Sequence, residues 1–170
     1  MNFPTNKDRE IKKFLQNYSK LLSLGMKSIK ENQILKIINI LIDSIEKNKT
    51  IFTCGNGGSS SIAEHFVCDF VKGSSSDTTI QPKVHSLNSN IALNSAIAND
   101  ISYGSIFSYQ LEKYAAENDI LFCISSSGNS RNIINALKKA KQLKLKSICL
   151  AGFDGGEAKK ICDNVIHINI

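Results

Sequence analysis

Beyond residue 49 the chain repeats one pattern. A short apolar run suited to strands stops at Gly, Ser or Asn, and a longer stretch follows whose apolar residues recur at three- and four-residue steps. Strands are predicted near residues 50–54, 83–88, 120–125, 147–151 and 165–170, with helical segments between them. Strands joined by crossover helices run parallel, so the pattern describes a parallel α/β sheet covered by helices. A helix is predicted over residues 59–72, with Gly73-Ser-Ser-Ser-Asp-Thr-Thr79 as a flexible loop after it. Residues 88–98 and 102–116 read as two helices separated by Asn99-Asp100, and residues 130–143 as an amphipathic helix. Gly152-Phe-Asp-Gly-Gly156 is a further βα loop before a short helix ending near residue 162, and no internal repeat of fixed period is present.

The first part of the chain is different. Over residues 7–28, Ile11, Phe14, Leu15, Tyr18, Leu21 and Leu22 mark one amphipathic helix. Over residues 32–47 the apolar positions, among them Ile34, Leu35, Ile38, Leu41, Ile42 and Ile45, cover more than one face. Such a helix either packs against a partner as well as the core, which points to an oligomer, or is sandwiched within its own domain. The chain is accordingly divided into a helical pair, residues 1–48, and an α/β domain, residues 49–170. The last strand runs up to Ile170. A parallel sheet normally covers such a strand, so a further helix is expected beyond that point.

Candidate chemistry lies in two of the loops. Ile51-Phe-Thr-Cys-Gly-Asn-Gly-Gly-Ser59 and Ile120-Leu-Phe-Cys-Ile-Ser-Ser-Ser-Gly-Asn-Ser130 each run from a strand through a polar turn into a helix. Gly55, Gly57 and Gly58 permit a tight turn with uncovered N–H groups at a helix N-terminus, where an oxyanion is stabilised. Ser125, Ser126, Ser127 and Ser130 add neutral hydroxyl donors able to hold a phosphate. Neither loop carries the Gly-Lys-Ser/Thr of a Walker A motif or a Gly-x-Gly-x-x-Gly, which lowers nucleotide readings. Both should converge beyond the carboxyl ends of the strands.

Composition narrows the classes. The chain has 170 residues, 42% hydrophobic and 21% charged, enough for one domain with a core. Its net charge of +6 comes from lysines scattered over helices without aromatic interleaving, so no nucleic-acid partner is implied. No apolar run is long enough for a membrane span and the start has no signal-peptide pattern, so no membrane association and a cytoplasmic location are expected. The five cysteines, odd in number and without Cys-x-x-Cys spacing, read as buried reduced thiols.

Cys54-Gly-Asn-Gly-Gly-Ser-Ser-Ser-Ile-Ala-Glu-His-Phe66 and Ser125-Ser-Ser-Gly-Asn-Ser130, in this order, resemble the sugar isomerase (SIS) family, and within it the sedoheptulose 7-phosphate (phosphoheptose) isomerases. The resemblance covers the whole chain. It implies a five-stranded parallel sheet flanked by helices, a flavodoxin-like three-layer sandwich, with two N-terminal helices serving assembly into a homotetramer whose active sites lie between subunits. It also implies conversion of D-sedoheptulose 7-phosphate into D-glycero-D-manno-heptose 7-phosphate for surface polysaccharide synthesis. Ser125, Ser127 and Ser130 match the family's phosphate-binding serines, and Ser126 a position that is Thr or Ser. Asn56, Gly57, Gly58 and Ser59 match the first substrate loop, and Asn99-Asp100 an Asn-Asp pair near the substrate hydroxyls.

Moving a carbonyl between C1 and C2 requires a base for the proton α to the carbonyl and an acid for its oxygen, giving an enediol. The family's base is a Glu on the helix after the first loop, and the matching residue here is Asp69, one methylene shorter. His65, four residues earlier on the same face, matches a His that binds zinc with that carboxylate in some members. Read from the residues alone, His65 and Asp69 also suit an i,i+4 surface pair. Cys68 stands where many relatives have a second carboxylate, and Ser74 where some have Arg. The family's catalytic His and a metal-binding Gln fall on a helix beyond Ile170, so no acid is named. His85 and His167 lie within strand patterns and are expected to pack or face solvent. Two rival readings accompany the heptose isomerase: an isomerase of another sugar phosphate, and a non-catalytic SIS protein that binds a partner such as a replication initiator.

Overall fold

The computed structural model describes residues 10–170. In chain order the elements are α1 (Ile11–Ser28), α2 (Glu31–Glu46), β1 (Thr50–Gly55), α3 (Gly58–Cys68), β2 (Lys83–Ser86), α4 (Ile91–Asp100), α5 (Ile106–Tyr114), β3 (Ile120–Ser125), α6 (Arg131–Gln142), β4 (Lys146–Ala151), α7 (Ala158–Ile161) and β5 (Asn164–His167). All five strands pair parallel in the order β2-β1-β3-β4-β5. This is the flavodoxin-like order, so the expected three-layer α/β sandwich is what the chain forms.

Period-two alternation divides the core in two. Phe52, Cys54, Leu121, Cys123 and Cys149 point to one face, under Phe107 and Leu111 of α5 and Ile133, Ala136 and Leu137 of α6. Ile51, Ile120, Phe122, Ile124 and Ile148 point to the other, against Ile37 of α2 and Ala63 of α3. Because the inner strands are buried on both faces, they read as continuous apolar runs in the sequence. Cys54, Cys123 and Cys149 stand side by side in register across the sheet. The Cys54 and Cys123 sulfurs are 3.4 Å apart in a thiol hydrogen bond. Burial pushes the Cys149 thiol well up, and the Cys123 thiol is raised by its bond to Cys54 and by burial. The expectation of buried thiols fails at Cys68, which lies exposed on the outer side of α3, and Cys162 is only partly covered.

Several boundaries differ from the sequence reading. The helix expected over 59–72 leaves α geometry at Asp69, and a π turn follows over Asp69–Gly73, closed by Ser74 N–H donating to the Asp69 carbonyl at 2.8 Å. Helix α4 starts at Ile91, because Asn90 caps it, its Oδ1 accepting from Leu93 N–H at 3.0 Å. It also runs through Asn99-Asp100, so the break before α5 falls at Ile101 and Ser102. Strand β5 is shorter than expected. Of the first predicted helix, residues 7–9 lie outside the described residues.

Helix α2 joins the domain core through Ile37, Ile40, Leu41 and Ile45, while Leu35, Ile38 and Ile42 of its other side stay exposed. Helix α1 adds Ile11, Leu15, Tyr18 and Leu22, all exposed and spaced by four, three and four residues. No helix among the described residues is long and apolar enough to cross a membrane.

Candidate active site

The strand order reverses between β1 and β3, and in open α/β sheets ligands bind in the crevice beyond such a switch point. The two loops that leave these strands meet there. Asn56 and Ser59 of the first, Ser125, Ser126, Ser127 and Ser130 of the second, and Ile124 and Phe153 enclose a cavity of about 200 Å³. Six residues expected at the site from the sequence therefore line one cavity. Gly57 and Gly58 do not line it; both are exposed where α3 begins, and Gly57 has φ 54° and ψ −125°, which only glycine adopts without strain.

Asparagines that the sequence reading passed over hold the first loop. Asn88, after β2, accepts from the Gly55 N–H at 3.1 Å and donates to the Gly55 carbonyl at 2.8 Å, so a side-chain amide continues the ladder past the end of the strand. Asn56 exchanges two hydrogen bonds of 2.8 Å with Asn132, a residue 2% exposed in the first turn of α6. The Tyr103 hydroxyl donates to Asn56 Oδ1 at 3.1 Å. Asn56 is thus bound up in joining the two loops as well as lining the cavity.

In the second loop the hydroxyl of Ser125 accepts from Gly128 N–H and that of Ser127 from Asn129 N–H, each at 3.2 Å. Each hydroxyl hydrogen remains for an anion. Ser130 lines the cavity as the N-cap of α6 and makes no side-chain cap bond, while Asn132 Oδ1 takes the first-turn N–H of Ile133 at 3.0 Å, so the positive end of that helix begins at the cavity with its first turn partly satisfied. No Lys or Arg lines the cavity, so among the described residues the charge it offers is that of oriented dipoles.

A third loop, after β4, clamps the second. Gly152 N–H donates to Ser126 O at 3.0 Å, Ala158 N–H to Gly128 O at 2.9 Å and Glu157 N–H to Asn129 Oδ1 at 2.9 Å. Gly128 has φ 62°, and a Cβ there would overlap the Gly155 carbonyl. Phe153, which supplies the aromatic wall, has φ 46°. For a non-glycine residue that conformation costs roughly 1–2 kcal/mol. His167 Nε2 donates to the Phe153 carbonyl at 2.8 Å, so this partly buried His packs against the loop, as expected for a residue within a strand.

The carboxylate expected as base stands elsewhere. His65 Nδ1 and Asp69 Oδ2 are 3.0 Å apart, with side chains 73% and 65% exposed. They flank a shallow surface pocket with Ser61, Ile62 and Phe66. Asp69 lies ten positions after Ser59, about 15 Å away along α3 and into the turn that follows it. Among the described residues no group of three or more His, Cys, Asp or Glu is placed to hold a metal. The pair supplies two donors where zinc takes four ligands, so this chain's described residues alone do not make a zinc site. Asn99 and Asp100 lie exposed at the end of α4, joined by a 2.8 Å hydrogen bond, and line none of these pockets. His85 is exposed on the edge strand with its ring 6.3 Å from that of Phe52.

The SIS domain family model matches residues 13–152. A Helicobacter pylori protein named phosphoheptose isomerase is 36% identical over 161 residues, 95% of this chain and 83% of its own length. One of the same name from Clostridium acetobutylicum is 37% identical over 156 residues, 92% of this chain and 78% of its own. In three dimensions the chain is similar to a phosphoheptose isomerase from Francisella tularensis, with a TM-score of 0.86 at 24% identity over 94% of this chain and 84% of that one. That likeness concerns the fold, whereas the sequence matches run through both Gly/Ser loops. The chain belongs to the SIS domain family, in its phosphoheptose isomerase branch.

Proposed function

We propose that this sugar-phosphate isomerase converts D-sedoheptulose 7-phosphate into D-glycero-D-manno-heptose 7-phosphate, in the cytoplasm, for the synthesis of heptose-containing surface polysaccharide. The observation that carries the reading is the serine cavity. It is lined by hydroxyls with free hydrogens, has the N-cap residue of α6 in its wall and sits at the switch point of the sheet. The phosphate of the sugar occupies it, and the carbon chain leads away toward the base.

Asp69 is the base in this reading. Its carboxylate removes a proton from C1 of the ketose while the C2 oxygen gains one, giving the 1,2-enediol. Return of a proton to C2 and loss of the O1 hydrogen complete the aldehyde. His65, bonded to Asp69 Oδ2, orients that carboxylate. Zinc is proposed only as an addition held in part by His65 and Asp69, and no step is routed through it.

The assembly proposed is a homotetramer with each site shared between chains. Its support is the exposed 4-3-4 apolar seam of α1, the exposed side of α2 and the solvent-facing position of Asp69. Asn99 and Asp100 reach substrate hydroxyls in this reading.

The test is an NMR time course with sedoheptulose 7-phosphate in deuterated water, with and without added zinc. An aldoheptose phosphate carrying deuterium at C2 is expected. Saturable binding without conversion would replace the heptose by another sugar phosphate or the enzyme reading by a binding one. Absence of binding would remove the phosphate assignment itself.

A further inference from the structure

We propose that His167 is a positioning residue of the substrate cavity, holding the Phe153 carbonyl so that the Phe153 ring stands as the wall between the serine cavity and the apolar groove beside it. The inference rests on the reading of the serine cavity as a phosphate site. Phe153 lines both spaces, as do Ser59, Ile124 and Ser126, and is the one aromatic side chain among these four: the cavity continues to Ser125 and Ser127, and a groove of about 400 Å³ to Ile62, Leu150 and Ile168.

Its backbone occupies the first central position of the turn closed by Gly155 N–H donating to Gly152 O at 2.8 Å. With φ 46° at Phe153 and no positive φ at Asp154, this is the turn geometry that favours glycine at that position. A bulky residue stays there only when its surroundings fix it. The ends of the turn are held by backbone bonds, and the contact at the Phe153 carbonyl itself is the 2.8 Å bond from His167 Nε2. His167 is itself set by sheet pairing opposite Ala151. On its other side Lys159 Nζ lies 3.1 Å from Nδ1. An ammonium group only donates, so Nδ1 accepts and the ring hydrogen sits on Nε2, aimed at the carbonyl.

The experiment compares His167→Phe, which removes the donor, with His167→Gln, which restores a donor at a similar reach, each also combined with Phe153→Gly. The readouts are calorimetric titration with inorganic phosphate and kcat and KM for sedoheptulose 7-phosphate. His167→Phe is expected to raise KM about tenfold and the phosphate Kd about fivefold, with kcat within about twofold, because the loop binds ground and transition states alike. His167→Gln should recover to within about twofold of the parent, and on the Phe153→Gly background the His167→Phe effect should vanish. An unchanged KM and phosphate Kd in His167→Phe, or an equal loss with Phe153 already replaced, would overturn the proposal. Should His167→Phe fail to fold, His167→Asn takes its place, a polar side chain whose amide falls short of the Phe153 carbonyl: an increase of about tenfold in KM at nearly constant kcat supports the role, and no change overturns it. Parent protein that binds inorganic phosphate without converting the heptose would overturn the activity reading alone, and the phosphate Kd ratios would still decide the role of His167.

Discussion

The serine cavity and the carboxylate face of α3 belong to one site in the proposed reaction, yet they are built differently. The cavity is finished within one chain: its loops are cross-linked by amides, clamped by a third loop and positioned by a buried sheet. The face around Asp69 is two hydrogen-bonded side chains on an open helix surface, with solvent where a substrate would lie. Holding a phosphate requires many weak donors in fixed places, which local folding provides. Proton transfer needs few groups but a dry environment, which an exposed helix acquires only when something covers it.

The largest test of this contrast is Asp69→Asn. Turnover should fall by about 10²–10⁴-fold with KM within about twofold, since the base acts apart from the phosphate donors. A kcat measurement with undiminished turnover would remove Asp69 from the mechanism. Co-expression of Asp69→Asn with Ser127→Asp sharpens it further: random assembly restores about a quarter of the sites if the base and the serine cavity of a site come from different chains, and none if both come from one.

Gly128→Ala attacks the prefabricated half. Its Cβ meets the Gly155 carbonyl at a left-handed φ, so chemical denaturation should register a loss of about 2–4 kcal/mol, whereas Gly58→Ala, with open space around it, should cost under about 1 kcal/mol. Ser127→Ala removes one donor and should raise KM about tenfold at nearly constant kcat, measured by steady-state kinetics. Equal loss in kcat would mean that the cavity takes part in the chemical step.

The cysteines sample both regions. Cys68, exposed beside Asp69, should react with a thiol reagent at native pH, while Cys54, Cys123 and Cys149 should react only on unfolding. Burial pushes the Cys162 thiol up to about 11 from an ordinary 9.0. The folded state therefore keeps its proton longer than the unfolded state does, so this contribution is whole below pH 9 and is lost as pH rises toward 11. Denaturation curves should record a decline of about 2 kcal/mol across that window, reduced in Cys162→Ala.

Much of this was legible in the chain. The sheet followed from apolar runs bounded by Gly and Ser, and the six cavity residues followed from two loops whose strands had to be neighbours. What escaped were partners defined by distant register. Nothing local in Asn132 or Asn88 says that its amide will meet Asn56 or Gly55, and Phe153 looked like one more loop residue. The π turn at Asp69 was hidden because a five-residue turn adds one residue without disturbing the apolar period before it. Asn99-Asp100 read as a helix break by composition, although the preceding hydrogen-bonding pattern carries α4 through both.

The reciprocal amide pair of Asn56 and Asn132 has a thermodynamic corollary. Two βα loops joined this way have little motion left to lose when a ligand arrives, so the entropy of ordering them is spent when the chain folds and not at encounter. Phosphate capture should then change the heat capacity little and proceed without a slow isomerisation, and any slow phase in sugar binding would belong to the open surface of α3 and to whatever comes to cover it.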